Sequence, residues 1–294
     1  MYNQFTINSY KWVSGITVID SWKPGKNVGI FAITHGNEPV WIGVFKHLSD
    51  WYKLEEKIKS GKIFLIAVNI EAYEKFIQDG DDNKYRFIDD NMNRISNKPY
   101  KEKSYESRRL KELIPIFDEL DIAIDLHSVP IGNDVIGIVD KKYLNTSLWF
   151  LDIETILVDD ISSTGALIGY LLRQGKEAYG LECWNHTDSQ AFETGVRNVL
   201  NILVFEGVID GIISQKHTVP QIFEFIEEIQ PLTDEFQYIA EYSWFTRILD
   251  GQIFARDVEI DRRNTLWNNI FLWLVMKDPK RWDGAGFLFR KIDI

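Results

Sequence analysis

The chain has 294 residues, 45% of them hydrophobic and 14% aromatic, enough for a sizeable core and too many for a minimal domain. Its formal net charge of −11 repels phosphate backbones and argues against nucleic acid as a partner. No stretch reaches the roughly 18 consecutive apolar residues of a membrane span, Cys183 has no second cysteine to pair with, and MYNQFTINSYKW lacks the basic-then-apolar pattern of a secretory signal, so a cytoplasmic protein is expected.

In chain order, Val28 to Ile33 (VGIFAI) is a continuous apolar run, as in a strand buried on both faces. Thr34-His35-Gly36-Asn37-Glu38-Pro39 breaks it, with Asn37 suited to an N-cap and Pro39 to a first helical turn. The following VWIGVFKHLSDWYKL has helical spacing. A strand is expected at Ile63 to Val68, and a charged amphipathic helix at Ser104 to Leu120 with Pro115 as a kink point. Asp121 to Leu126 reads as a short strand, Thr164 to Arg173 as a helix, Ala178 to Cys183 as a strand and Ser189 to Val208 as a long helix. Strands separated by helices predict an α/β domain at 1–216, its mainly parallel mixed sheet covered on both faces. Beyond it, QIFEFIEEI, QIFARDVEI and FLFRKIDI predict a smaller β-rich domain at 217–294.

Four places carry residues with chemistry. His35 and Glu38 stand three apart across a strand-to-helix turn, where both can reach one cation; alone, the same pattern is also a helix N-terminus whose Glu38 complements the macrodipole. His127 follows the apolar strand in DLHS, so it emerges on the same sheet edge as His35. Asp125, two residues back, could fix its tautomer. Glu182 closes a third strand in AYGLE. A carboxylate there wants a cation or donor and, beside an activated water, is a general base; paired with an arginine it is only structural. Arg86 to Arg94 (RFIDDNMNR) is a donor-rich loop that could clamp a carboxylate and polarise a carbonyl. Asp81, Asp82, Asp89 and Asp90 are its competing local partners. His47, His186, Arg173 and Cys183 are weaker candidates, and GxSxG, P-loop and GxGxxG motifs are absent.

The order of these motifs resembles the succinylglutamate desuccinylase/aspartoacylase family, the deacylase branch of the zinc carboxypeptidase superfamily. THGNE at 34–38, NMNR at 91–94, DLHS at 125–128 and LE at 181–182 carry the resemblance, with Arg86 eight residues ahead of Arg94. It implies a zinc carboxypeptidase-like fold and one Zn2+ per chain on His35, Glu38 and His127. It further implies Glu182 as the base, Arg86 at the scissile carbonyl, and Asn93 and Arg94 on a substrate carboxylate. The implied activity is hydrolysis of the amide bond of an N-acyl amino acid or related small carboxylate-bearing amide, by a homodimer. Carboxypeptidase action on short peptides and a catalytically inactive metal- or ligand-binding relative are the alternatives. Two positions depart from the family pattern: Asn91 where the family's DLNR has aspartate, and Trp184 where a glycine usually lies two residues after the glutamate.

Overall fold

The computed structural model describes residues 8–80, 84–129, 135–185, 189–214, 219–243, 245–266, 269–273 and 285–293. In chain order the elements are β1 (Ser9–Tyr10), β2 (Val13–Ser14), β3 (Ile16–Asp20), β4 (Asn27–Ala32), α1 (Val40–Lys46), α2 (Leu54–Lys57), β5 (Lys62–Ala67), α3 (Ile70–Asp79) and α4 (Tyr105–Phe117). There follow β6 (Ile122–Val129), β7 (Val135–Asp140), α5 (Leu144–Ser147), β8 (Thr155–Asp159), α6 (Leu167–Arg173), β9 (Glu177–Asn185) and α7 (Ser189–Phe205). The last strands are β10 (Gln221–Ile229), β11 (Phe236–Tyr238), β12 (Thr246–Ile248), β13 (Ile253–Asp257), β14 (Ile260–Arg263), β15 (Ile270–Trp273) and β16 (Gly286–Ile292). Among the described residues no helix is long and apolar enough to cross a membrane.

Two compact units emerge: residues 1–154 with 160–219, and residues 155–159 with 220–294. In the first, the strands run β7-β9-β6-β4-β5-β3. The inner four are parallel and the two edges antiparallel, a mixed α/β sheet of the class the sequence predicts. The inner strands carry apolar residues on both faces, because helices cover both. Phe31, Phe64 and Ala123 pack with Leu113 and Phe117 of α4 and Leu171 of α6. The chain adds β5 on one side of β4 and later β6 on the other. That reversal opens a crevice at the carboxyl ends of β4 and β6, the usual ligand site of such sheets. The second unit has strands β12-β15-β16-β10-β8 and a three-stranded sheet β11-β13-β14, a smaller β-rich region around Ile248, Phe254 and Leu288.

Several local expectations need correction. Pro39, not Asn37, occupies the N-cap of α1, because a tight turn closed by Glu38 N donating to His35 O keeps 35–38 out of the helix. The helix predicted from 40 onward stops at Lys46, passes through a π turn at His47–Trp51 and breaks at Lys53, whose φ is +57°. Ser104 does cap α4, accepting from Ser107 N, and Pro115 is tolerated in its last turn. α6 begins only at Leu167, since the backbone is extended at Ala166. The strands predicted to end at Leu126 and Cys183 run on to Val129 and Asn185, so His127 lies within its strand and Glu182 stands further from the end of its own. β3, β7, β8 and α3 add to the expected elements, although VIGIVD of β7 and TILVD of β8 are apolar runs of strand type.

Arg109 of α4 ties the sheet to its helix layer. At 2% exposure, it donates to Val68 O at 2.9 Å, Ser14 O at 2.8 Å and Ala67 O at 3.0 Å. Arg109→Met should fill the space but strand those carbonyls. The expected loss is about 2–4 kcal/mol in a urea unfolding titration; a loss below about 0.5 kcal/mol would mean water replaces the guanidinium.

Candidate metal centre and active site

Three parallel strands deliver the central residues. β4 ends at Ala32, and Ile33 turns the chain at φ +51°. A β-branched residue pays roughly 1–3 kcal/mol for that conformation, so surrounding packing must hold it. Ile33 is 1% exposed, and its carbonyl accepts from Asn69 N at 3.0 Å. The turn then presents His35 and Glu38 inward, both buried. On β6, His127 is in parallel register with Glu182 of β9, so both side chains leave the same face of the sheet. The register shifts directly after that pair, a bulge at the strand ends of the kind that re-aims side chains at sites.

His35, Glu38 and His127 each offer one ligand atom, and these atoms all lie within 4.8 Å of one another. Glu38 is the hub. Its Oε1 lies 2.8 Å from His35 Nδ1 and accepts from Arg86 Nη1 at 3.3 Å. Its Oε2 accepts from Ser128 N at 3.2 Å and lies 3.2 Å from His127 Nδ1. On the far side of that ring, His127 Nε2 is 2.9 Å from Asp125 Oδ2, and Thr34 Oγ1 donates to Asp125 Oδ1 at 2.7 Å. A carboxylate behind a histidine draws the ring proton to itself and leaves the other nitrogen for a ligand.

The charge states follow. Burial pushes the Glu38 carboxyl up, but His35 and His127 outweigh it and hold it well below the usual range. Burial and the Arg86 guanidinium bring His35 down to about 4, so its ring is neutral and keeps a lone pair on one nitrogen. Burial opposes charge on His127 too, but the Asp125 and Glu38 carboxylates raise it well above its ordinary value. His127 Nδ1 is buried without a directed hydrogen bond among the described residues, although Glu38 is near. Two histidine nitrogens and an ionised carboxylate, one nitrogen unpaired, fit a divalent cation of zinc type. Glu182, half-buried, is pushed up to about 7, chiefly by burial; His127 and Arg86 pull it down, while Glu38 and Asp125 push it up.

The donor loop closes over this group. Gly36 N donates to Arg86 O at 3.0 Å, and a Cβ on Gly36 would sit 2.6 Å from Tyr85 O, so only glycine permits the crossing. The crossing brings Arg86 Nη2 to 3.1 Å from His35 Nε2. Asn91 Oδ1 accepts from Asn93 N at 2.9 Å and lies 3.2 Å from His35 Nε2. Asn93 Oδ1 accepts from Leu167 N at 2.9 Å, which turns its Nδ2 to within 3.4 Å of His127 Nε2. Arg94 donates to Asn93 O at 2.8 Å and is exposed. The structure thus gathers His35, Glu38, His127, Glu182, Arg86 and Asn93 around one crevice, with Arg94 adjoining.

The weaker candidates separate. Arg173 donates to Ser162 O, Thr164 O and Ser96 O at 2.7–3.0 Å and staples loops together rather than facing a ligand. The His47 ring packs edge-on to Phe192 at 5.3 Å. Cys183 is buried. His186 and the Trp184 ring lie outside the described residues. Sequence reasoning missed Thr34, whose bond to Asp125 joins residues 91 apart in the chain, and Ser128, which acts through its backbone N–H; neither left a sign in the sequence.

Residues 24–203 match the succinylglutamate desuccinylase/aspartoacylase catalytic domain. No curated protein matches the sequence significantly. Among solved structures, the chain is similar to succinylglutamate desuccinylase from Vibrio cholerae, with a TM-score of 0.76 and 15% identity over 95% of this chain and 86% of that one. A succinylglutamate desuccinylase/aspartoacylase from Rhodobacter sphaeroides gives 0.68 and 16%, over 96% and 91%. An ectoine utilization protein from Ruegeria pomeroyi, in product-bound form, gives 0.66 and 14%, over 96% and 90%. At these identities the likeness is one of fold.

Chelator-stripped protein titrated with Zn2+ should take up about one ion per chain, and His127→Ala should take up none. Asp125→Asn should keep the site but weaken it by about 10–100-fold, as loss of a histidine's carboxylate partner does. Wild-type affinity in that variant would show that Asp125 does not orient the ring.

Proposed function

Because the chain belongs to the succinylglutamate desuccinylase/aspartoacylase family, we propose that it is a zinc-dependent hydrolase of N-acyl amino acids or related small carboxylate-bearing amides. The observation that carries this reading is the buried His35–Glu38–His127 group beside Glu182 and Arg86. His35, Glu38 and His127 would hold one Zn2+, which when bound supplies a Lewis acid that polarises a carbonyl and acidifies a water.

The chain's own residues have separable tasks. Glu182, in register with His127, takes a proton from the water whose oxygen attacks the amide carbon, then gives it to the nitrogen as the C–N bond breaks. A carboxylate with its pKa near 7 is matched to both halves of that transfer. Arg86 donates to the developing oxyanion. Asn93, turned inward by Leu167 N, and Arg94 hold a substrate carboxylate and so set which bond meets the base. These arginines supply a local positive field that an overall charge of −11 does not, and the same charge supports small molecules rather than nucleic acid as partners. Residues 1–216 as catalytic domain, 217–294 as a second domain, a homodimer and a cytoplasmic setting complete the proposal.

With N-succinyl-L-glutamate and N-acetyl-L-aspartate as first probes, Glu182→Gln should retain zinc and lose about 10³-fold or more in kcat. Retained turnover in a zinc-loaded variant would sink its role as base. Arg94→Ala should raise KM about tenfold or more with a smaller change in kcat, the pattern of lost ground-state binding. The pH profile gives a third test. A base must be ionised, so kcat/KM should fall as pH drops through an apparent pKa at or below about 7, the added cation lowering it from the metal-free position. An acid limb that survives in the residual activity of Glu182→Gln would belong to another group.

A further inference from the structure

The loop from Arg86 to Arg94 has a charged acceptor at its centre that the mechanism does not use. Glu106, in the first turn of α4, is fully buried. Its Oε1 accepts from Ile88 N at 2.6 Å and Asn69 Nδ2 at 3.2 Å, and its Oε2 accepts from Asp89 N at 3.0 Å and Asp90 N at 3.1 Å. The tie is reciprocal, because Asp89 Oδ2 accepts from Tyr105 N at 2.7 Å at the head of the same helix. Three consecutive amides converging on one carboxylate cannot pair with each other, so without it they would be left to water and the loop to many conformations.

The ends of the loop are held elsewhere. Gly36 N fixes Arg86 O at one end, and Leu167 N fixes the Asn93 side chain at the other. Between them Met92 is buried in the core and Asn91 closes the turn into Arg94, while the backbone at 88–90, which leads on from Arg86, is held by Glu106. We infer that Glu106 is a positioning residue for substrate binding: by capping the amides of Ile88, Asp89 and Asp90 it fixes the spacing of the arginines at either end of the loop. The inference rests on the proposed function for what the arginines bind. It does not rest on it for what Glu106 holds.

Glu106→Gln is the first variant, since it keeps shape and burial but turns an NH2 toward backbone donors. Asp89→Ala is the second, because Asp89 is exposed and its loss opens the same clamp from outside the core. Zinc content and hydrogen exchange of 84–95 are measured on both. Kinetics use whichever of N-succinyl-L-glutamate and N-acetyl-L-aspartate the wild type hydrolyses, and the matching N-acyl alkylamine without the amino-acid carboxylate. The expected result is unchanged zinc, exchange at 88–90 faster by about 100-fold, and a KM about tenfold higher on the acid with kcat within about threefold. The alkylamine should show no such rise. Wild-type KM, or an equal loss on the alkylamine, overturns the inference while leaving the hydrolase reading intact. If the wild type hydrolyses neither probe, it is the proposed function that fails. Exchange then decides alone: faster exchange at 88–90 supports Glu106 as the loop's anchor, and unchanged exchange overturns it.

Discussion

A carboxylate at Glu38 with 1% exposure stays ionised because His35 Nδ1, the Arg86 guanidinium and Ser128 N meet it, with the His127 ring 3.2 Å away. Burying a lone charge costs several kcal/mol, so each of those donors must be in place when the protein folds. That requirement reaches through the structure. β4 and β6 must end side by side, the chain must turn through an unfavourable φ at Ile33, and the loop at 85–86 must cross Gly36 at close range. The same cluster that is costly without a cation is a ready ligand set for one.

Around this centre, polar side chains hold backbone as well as each other. Glu106 gathers three amides, Asn91 and Asn93 each take one, and Arg173 and Ser96 bind the turn to the segment before α6. A Cβ on Gly165 would approach Arg94 O to 2.6 Å, so the two loops touch at a point that admits no side chain. Loops built this way keep their shape through hydrogen bonds that water could otherwise claim, which suits residues that must meet a ligand without reorganising.

The two departures from the family pattern have different structural weight. Asn91 keeps the loop-capping role with a neutral oxygen, accepting from Asn93 N while lying 3.2 Å from His35 Nε2. An aspartate there would add one more carboxylate to a pocket that already holds Glu38, Asp125 and Glu182. Trp184 falls within the register shift between β6 and β9, where two residues of β9 oppose one of β6.

The sequence by itself determined the α/β class, the main strands of the first unit and the β-rich character of the end, because continuous apolar runs and their spacing report burial directly. It also singles out His35, Glu38, His127 and Glu182 as polar residues where apolar strands close, and the structure brings the first three within 4.8 Å of one another. Only the tertiary structure decided that β6 and β9 are neighbours in a register that pairs His127 with Glu182, since strand pairing is a long-range choice that local pattern does not encode. The same holds for Glu106. In sequence it is one acid in a charged amphipathic helix. Its burial follows from a loop 16 to 18 residues earlier folding its amides onto it, a contact that exists only once both segments are packed.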